Sequence, residues 1–230
     1  ASNYGLNDLQ IESFQRDIRL ALASVDDLLT KVLAEAPPLP EPEMAQAAPA
    51  PTAVADHPGT ADLQQLLSFF NQKKYDRTIL HATTLLKRFP KATAVWTLLA
   101  EAEKRTGNLE KSLHARQQVA QLQPTDTAAQ IAWVDALLAL GQDDKAQAVL
   151  ETVLRVDPQS APAHGKMGLL YQKQGNIQQA LYSYARALQK EKFNPIFLEK
   201  FGSLLRAQGD QDSTLVCFKA AVDASPNSAE

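Results

Sequence analysis

The chain has 230 residues, 45% of them apolar, and 23 Lys and Arg against 26 Asp and Glu give a net charge of -3. That balance provides no general attraction to nucleic acid or to an anionic membrane, and no apolar run of about 18 residues is present to span one. A single cysteine, Cys217, excludes an internal disulfide and a thiolate metal cluster; beside Phe218 in a helical pattern it reads as a small buried hydrophobe. The sequence starts at Ala1 without a recognisable signal peptide, and the expected location is the cytoplasm.

Residues 1–35 form the first predicted element, an amphipathic helix over 6–35. Ile11, Phe14, Ile18, Ala21, Val25, Leu28 and Val32 step by three and four, the seam of a coiled coil. Leu22, Leu29 and Leu33 widen that seam towards a bundle face. Such a stripe is not left in water. A second copy of the helix, a partner protein and the chain's own later helices are three ways to bury Ile11, Phe14, Ile18, Leu22, Val25, Leu28, Leu29 and Val32.

Residues 36–58 are rich in Pro and Ala and hold no aromatic residue, which predicts an extended linker without a core of its own. At about 3 Å per residue such a segment reaches on the order of 60–70 Å.

From residue 59 the chain repeats itself. Gly107, Gly141, Gly175 and Gly209 recur at a step of 34 residues, with Lys73 at the corresponding place in the first copy. Pro90, Pro124 and Pro158 keep the same step; Lys192 interrupts it and Pro226 resumes it. Five copies follow from this period: 59–92, 93–126, 127–160, 161–194 and 195–228. The copy Ala161–Asn194 shows the internal plan best. Small and apolar residues fall at helical spacing around Met167, Gly168 and Tyr171, then around Ala180, Tyr184 and Ala187. Gly175 between them predicts the end of one helix, and Asn176 is expected to cap the next through its side-chain oxygen. The fold class is therefore all-α, a stack of five helical hairpins.

Met167, Gly168, Tyr171, Ala180, Tyr184 and Ala187 in the fourth copy, Trp96 and Pro124 in the second, and Ala146 and Pro158 in the third make a pattern that resembles the tetratricopeptide repeat (TPR) family. The resemblance covers about three quarters of the chain. Departures are Asp62 for the Trp, Ser112 and Thr214 for the second-helix Ala, and Lys192 for the Pro. It implies a right-handed superhelical solenoid over 59–230. Its concave groove is lined by the first helix of each hairpin, and such arrays usually close with a further polar helix that the repeats here do not supply.

Carried over position by position, the groove residues implied are Thr97, Glu101, Lys104 and Arg105 in the second repeat and Ile131, Asp135 and Leu138 in the third. The fourth gives Lys166, Leu169, Gln172 and Lys173, and the fifth Glu199, Lys200, Ser203 and Arg206. Lys166, Lys173, Lys200 and Arg206 predict a basic groove end suited to an acidic or carboxylate-bearing segment. The sixth place of the repeat carries Leu98, Ala132, Lys166 and Lys200, so neither the Lys–Asn carboxylate clamp nor the Asn ladder of other family members is complete.

Catalytic patterns are missing from the sequence. His57, His81, His114 and His164 lack the spacing of a zinc site, and no G-x-S-x-G, P-loop or G-x-G-x-x-G occurs. His164 stands at the family's Trp position and reads as a packed helix residue, and Asp143 and Asp144 favour the positive end of the helix they open. No catalytic, cofactor or metal residue is therefore assigned. Two function classes stand: a non-catalytic scaffold for a protein or peptide, and a substrate-recognition arm. The second follows from the stretch LLSFFNQKKYDRTILHATTLLKRFPKATAVWTLLAEAEKRTGNLEKSL, which resembles the leading repeats of bacterial glycosyltransferases and sulfotransferases and implies a catalytic domain downstream.

Overall fold

Helical hairpins follow one another from residue 60 to residue 224, and their turns repeat one backbone plan. The computed structural model describes residues 25–34 and 57–224. The remainder of the predicted N-terminal helix, with Ile11, Phe14, Ile18 and Leu22, and nearly all of the predicted linker lie outside the described residues. Every regular element described is a helix. These are α1 (residues 25–34), α2 (Thr60–Asn71), α3 (Tyr75–Arg88), α4 (Thr93–Arg105), α5 (Leu109–Leu122), α6 (Thr127–Ala139), α7 (Asp143–Val156), α8 (Ala161–Lys173), α9 (Ile177–Lys190), α10 (Pro195–Ala207) and α11 (Gln211–Ala224). From α2 onward they pair as five hairpins on the 34-residue step.

Each hairpin turn is closed by a residue in the left-handed region. Gly107, Gly141, Gly175 and Gly209 have φ between 68° and 85°, and Lys73 takes φ 57° at the same place. The backbone N–H just beyond each closes the loop. Lys74, Asn108, Gln142, Asn176 and Asp210 donate to the carbonyls of Phe69, Glu103, Leu137, Tyr171 and Leu205 at 2.8–3.1 Å. This is the Schellman bond that satisfies the last carbonyls of a helix.

Side-chain capping falls elsewhere than expected. Asn176 makes no cap hydrogen bond to its helix and has ψ 71°; Lys74, Asn108 and Gln142 share that geometry with ψ of 61–67°. Of the five residues that follow the left-handed turns, Asp210 does cap its helix, its Oδ1 accepting from the Ser213 N–H at 3.0 Å. Two connections between hairpins supply caps as well. Asp126 (ψ 99°) accepts from the N–H groups of Ala128 and Ala129, and Asn194 (ψ 110°) from those of Ile196 and Phe197.

The chain divides into two compact units. Glu41–Pro158 holds the hairpins α2–α3, α4–α5 and α6–α7. One buried apolar cluster in it is Leu66, Ala82, Leu85, Leu86, Val95, Leu99, Ala100 and Ala115. Trp96 packs at its edge and donates from Nε1 to the Pro90 carbonyl at 2.8 Å. The Ala position taken by Ser112 keeps its packing: the Ser112 hydroxyl donates to the Ala100 carbonyl at 2.8 Å, across the hairpin, and so satisfies itself.

The other unit joins Ala1–Pro40 with Gln159–Glu230, and so contains α1 and α8–α11. Three helical glycines let its helices meet closely. A Cβ on Gly168 would stand 2.9 Å from the Tyr184 ring, one on Gly202 2.9 Å from Cys217 Cβ, and one on Gly165 2.3 Å from the Phe197 ring. The first two hold α8 to α9 and α10 to α11; the third brings α8 beside α10. Cys217 is fully buried, as expected of a small hydrophobe, and His164 is buried within α8.

The described part of the N-terminal helix is turned into its own chain. Val25 and Leu29 are each 3% exposed, Leu28 and Val32 half-buried, and Lys192 Nζ lies 2.7 Å from Asp26 Oδ1. Leu29 and Thr30 share a hollow with Arg186, Gln189 and Lys190, which sets α1 beside the C-terminal half of α9. There α9 carries a buried row, Leu181, Ala185 and Leu188, whose counterparts on α11 include Leu215 and Val222, exposed by 71% and 64%.

Candidate partner-binding surface

In the unit Glu41–Pro158, the residues expected on the first helices gather around one that residue type alone does not single out. Arg116 on α5 stands in the wall of two small hollows. One, of about 280 Å³, is shared with Lys104 and Asp135; the other, of about 240 Å³, with Thr97, Gln123 and Asp126. Glu101 accepts from Arg116 at 3.2 Å and from Arg105 Nε at 2.9 Å. Its bond and charge raise the already high pKa of the exposed Arg105 guanidinium. Glu101 is thus engaged by two arginines and is a weak point of attraction for a third cation. Ile131 and Leu138 are half-buried and line neither hollow. Comparing repeats is the signal that finds Arg116: its place holds Tyr184 in the fourth copy and Phe218 in the fifth, so a charge there is out of pattern.

In the unit with α8–α11, the contact of Gly165 with Phe197 sets the first helices side by side. Lys166 and Lys200 occupy equivalent turns, one on each helix, and both are half-buried. Lys173 lies two turns further along the Lys166 side of α8 and is exposed. Arg206 diverges: it is six residues from Lys200, and its guanidinium stands 5.9 Å from the Phe218 ring centre on α11. Three lysines, then, share the face that was expected to hold four cations. Leu169 is half-buried among them. Gln172 receives a long 3.5 Å bond from the Tyr184 hydroxyl, Ser203 is tied to the Glu199 carbonyl at 2.8 Å, and Glu199 sits 3.5 Å from Lys200 Nζ. Glu199 offsets part of the lysine charge.

The sequence profile described as tetratricopeptide repeat matches residues 59–229. The chain belongs to the TPR family. Solved TPR-like structures agree on the fold. MamA superposes with a TM-score of 0.63 at 18% identity, over 74% of this chain and 93% of its own. TTC0263, a thermophilic TPR protein of Thermus thermophilus, gives 0.56 at 22% identity over 73% and 92% of the two chains. YrrB, described as a TPR protein with an unusual peptide-binding site, gives 0.58 at 11% identity over 74% and 87%. Among curated proteins, the human protein O-mannosyl-transferase TMTC1 is 27% identical over 130 residues, a span of 54% of this chain and 15% of that protein. No helix among the described residues of this TPR chain is long and apolar enough to cross a membrane.

Proposed function

We propose that this TPR chain is a non-catalytic, cytoplasmic interaction scaffold. It takes a peptide or helix against the first helices of its hairpins, and at α8 and α10 it prefers an acidic or carboxylate-bearing segment. One observation carries the preference: Lys166, Lys173 and Lys200 share one face of two helices held together at Gly165. Side-by-side ammonium groups draw a carboxylate more strongly than separate ones, most of all at low ionic strength. That a TPR neighbour, YrrB, is described with a peptide-binding site supports a peptide as the occupant. The N-terminal helix adds a second contact, with another copy or another protein, through what Val25 and Leu29 leave uncovered. The test is titration with a Glu-rich peptide at low and at physiological salt, using the native chain and Lys166→Glu/Lys200→Glu. About tenfold weaker binding at low salt with an unchanged helical spectrum is expected. Equal affinity of the two proteins rejects the electrostatic preference.

A second reading rests on the match to TMTC1. In it the chain is the substrate-recognition arm of a larger glycosyltransferase or sulfotransferase, and its groove holds the acceptor protein. The reading frame of the gene decides: several hundred further codons encoding a catalytic domain support it, and a stop after Glu230 rejects it.

A further inference from the structure

The second hairpin breaks its pattern at the eleventh place of the repeat. Phe69, Leu137, Tyr171 and Leu205 fill that place in the other copies; in this one it is Glu103. Glu103 is 3% exposed. Asn108 Nδ2 donates to its Oε2 at 2.7 Å. A carboxylate has room for about four hydrogen bonds, so this one can take further donors.

The carboxylate stands in the wall of an open hollow of about 520 Å³ between α3, α4 and α5. Leu86, Leu99 and the Trp96 ring make its apolar part, and the exposed Thr83, Lys87, Glu110, Lys111 and His114 line it as well. The ring is fixed by its bond to Pro90 and by His114, which meets it edge-on at 5.9 Å. Trp96, Leu99 and Glu103 form one side of α4, distinct from the side that carries Thr97, Glu101 and Lys104. This hollow is therefore separate from the groove residues and does not depend on the function proposed above.

Burying a carboxylate among apolar groups is unfavourable unless a cation or several donors meet it. A donor that also suits the apolar wall must carry its charge on a hydrocarbon stem. Lysine and arginine do so, laying the stem on apolar surface and stacking the cation against an aromatic ring. We propose that this hollow is a binding site for a lysine or arginine side chain of a partner polypeptide. The stem lies along Leu86, Leu99 and Trp96, and the cation pairs with Glu103.

The experiment uses the full chain and capped pentapeptides, Ac-Ala-Leu-Xaa-Leu-Ala-NH2, with arginine, citrulline or norleucine at the centre. The indole N–H resonance of Trp96, assigned with Trp133→Phe, is the reporter. The arginine peptide should shift it saturably, and the citrulline and norleucine peptides should bind about tenfold more weakly or worse. Glu103→Gln should erase that difference while the thermal melt stays near native. Equal binding of norleucine or citrulline would make the site one for apolar side chains and overturn the proposal, as would no saturation by any peptide at millimolar concentration. Should Glu103→Gln fold poorly, His114→Trp fills the hollow from its rim without touching the carboxylate. It must block the arginine peptide, and undiminished binding there places the peptide elsewhere.

Discussion

Arg116 on α5 and Glu101 on α4 meet at 3.2 Å with 18% and 27% of their side-chain surfaces exposed, in the place where the fourth hairpin seats Tyr184 against Gly168. An ion pair here replaces an aromatic contact between the two helices of a hairpin. Half-desolvated pairs contribute little net stability, because the attraction is offset by lost hydration, whereas removing one partner strands the other. Arg116→Phe is therefore expected to be neutral or to stabilise by up to about 1 kcal/mol, and Glu101→Ala to destabilise by about 1 kcal/mol. Urea midpoints at constant m-value check both. A clear loss in Arg116→Phe would mean that the arginine, not the shape of the site, holds the hairpin.

Lys73 is the natural test of the turn. It adopts φ 57° where the other four hairpins use glycine. The left-handed region costs an L-residue about 1–2 kcal/mol, and glycine gives back part of that relief as unfolded-chain entropy. Lys73→Gly should stabilise the first hairpin by about 0.5–1 kcal/mol. The midpoint of thermal unfolding reads the change, and no rise would show that the backbone here relaxes without strain.

The turns explain what is legible in the sequence. A left-handed residue closed by a Schellman bond demands glycine or tolerates little else, so Gly107, Gly141, Gly175 and Gly209 announce the hairpins and their period. Residue type alone puts a cap at Asn176, where none forms, while Asp210 at the same place of the fifth hairpin does accept from the Ser213 N–H, so residue type does not tell the two apart. Charges at core places of the repeat are harder still. Glu103 and Arg116 look like surface residues in isolation, and only register against Tyr171 and Tyr184 reveals that they occupy core places. The seat of α1 brings together residues 166 apart, such as Asp26 and Lys192, and no local pattern encodes such a distance.

Alkaline pH should unfold the chain through two buried acids. Burial, and after it the Asp210 carboxylate, push the Cys217 thiol up to about 12; burial pushes the Tyr184 phenol up to about 12. In the unfolded chain these groups ionise near pH ~8.5 and ~10. Between those values and about 12 the unfolded state has lost protons that the folded state keeps, so stability falls as pH rises, and it is fully present below about pH 8. The slope approaches about 1.4 kcal/mol per pH unit for each group. Cys217→Ala should flatten the decline between about pH 8.5 and 10 and about halve its slope from there to about pH 12. Chemical denaturation at half-unit steps of pH shows the difference, and identical slopes would mean that the thiol ionises freely in the folded chain.

The last expectation concerns what holds α1. Its ion pair, Asp26 with Lys192, keeps 49% and 43% of the two side-chain surfaces exposed, so solvent and salt reduce it to a few tenths of a kcal/mol. Val25 and Leu29 are each only 3% exposed, and each such side chain is worth about 1.5–3 kcal/mol of transfer free energy. Apolar burial should therefore decide the docking. Amide exchange of residues 25–34 reads it directly, since local opening exposes those N–H groups without unfolding the hairpins. Leu29→Ala should lower their protection about thirtyfold, the equivalent of about 2 kcal/mol, while Asp26→Asn changes it less than about threefold. An equal effect of the two variants would make the ion pair the principal contact. Repeating the measurement over a hundredfold range of protein concentration separates the two ways of burying this stripe. Docking within one chain gives the same protection throughout, and protection that grows with concentration would place Val25 and Leu29 against a second copy.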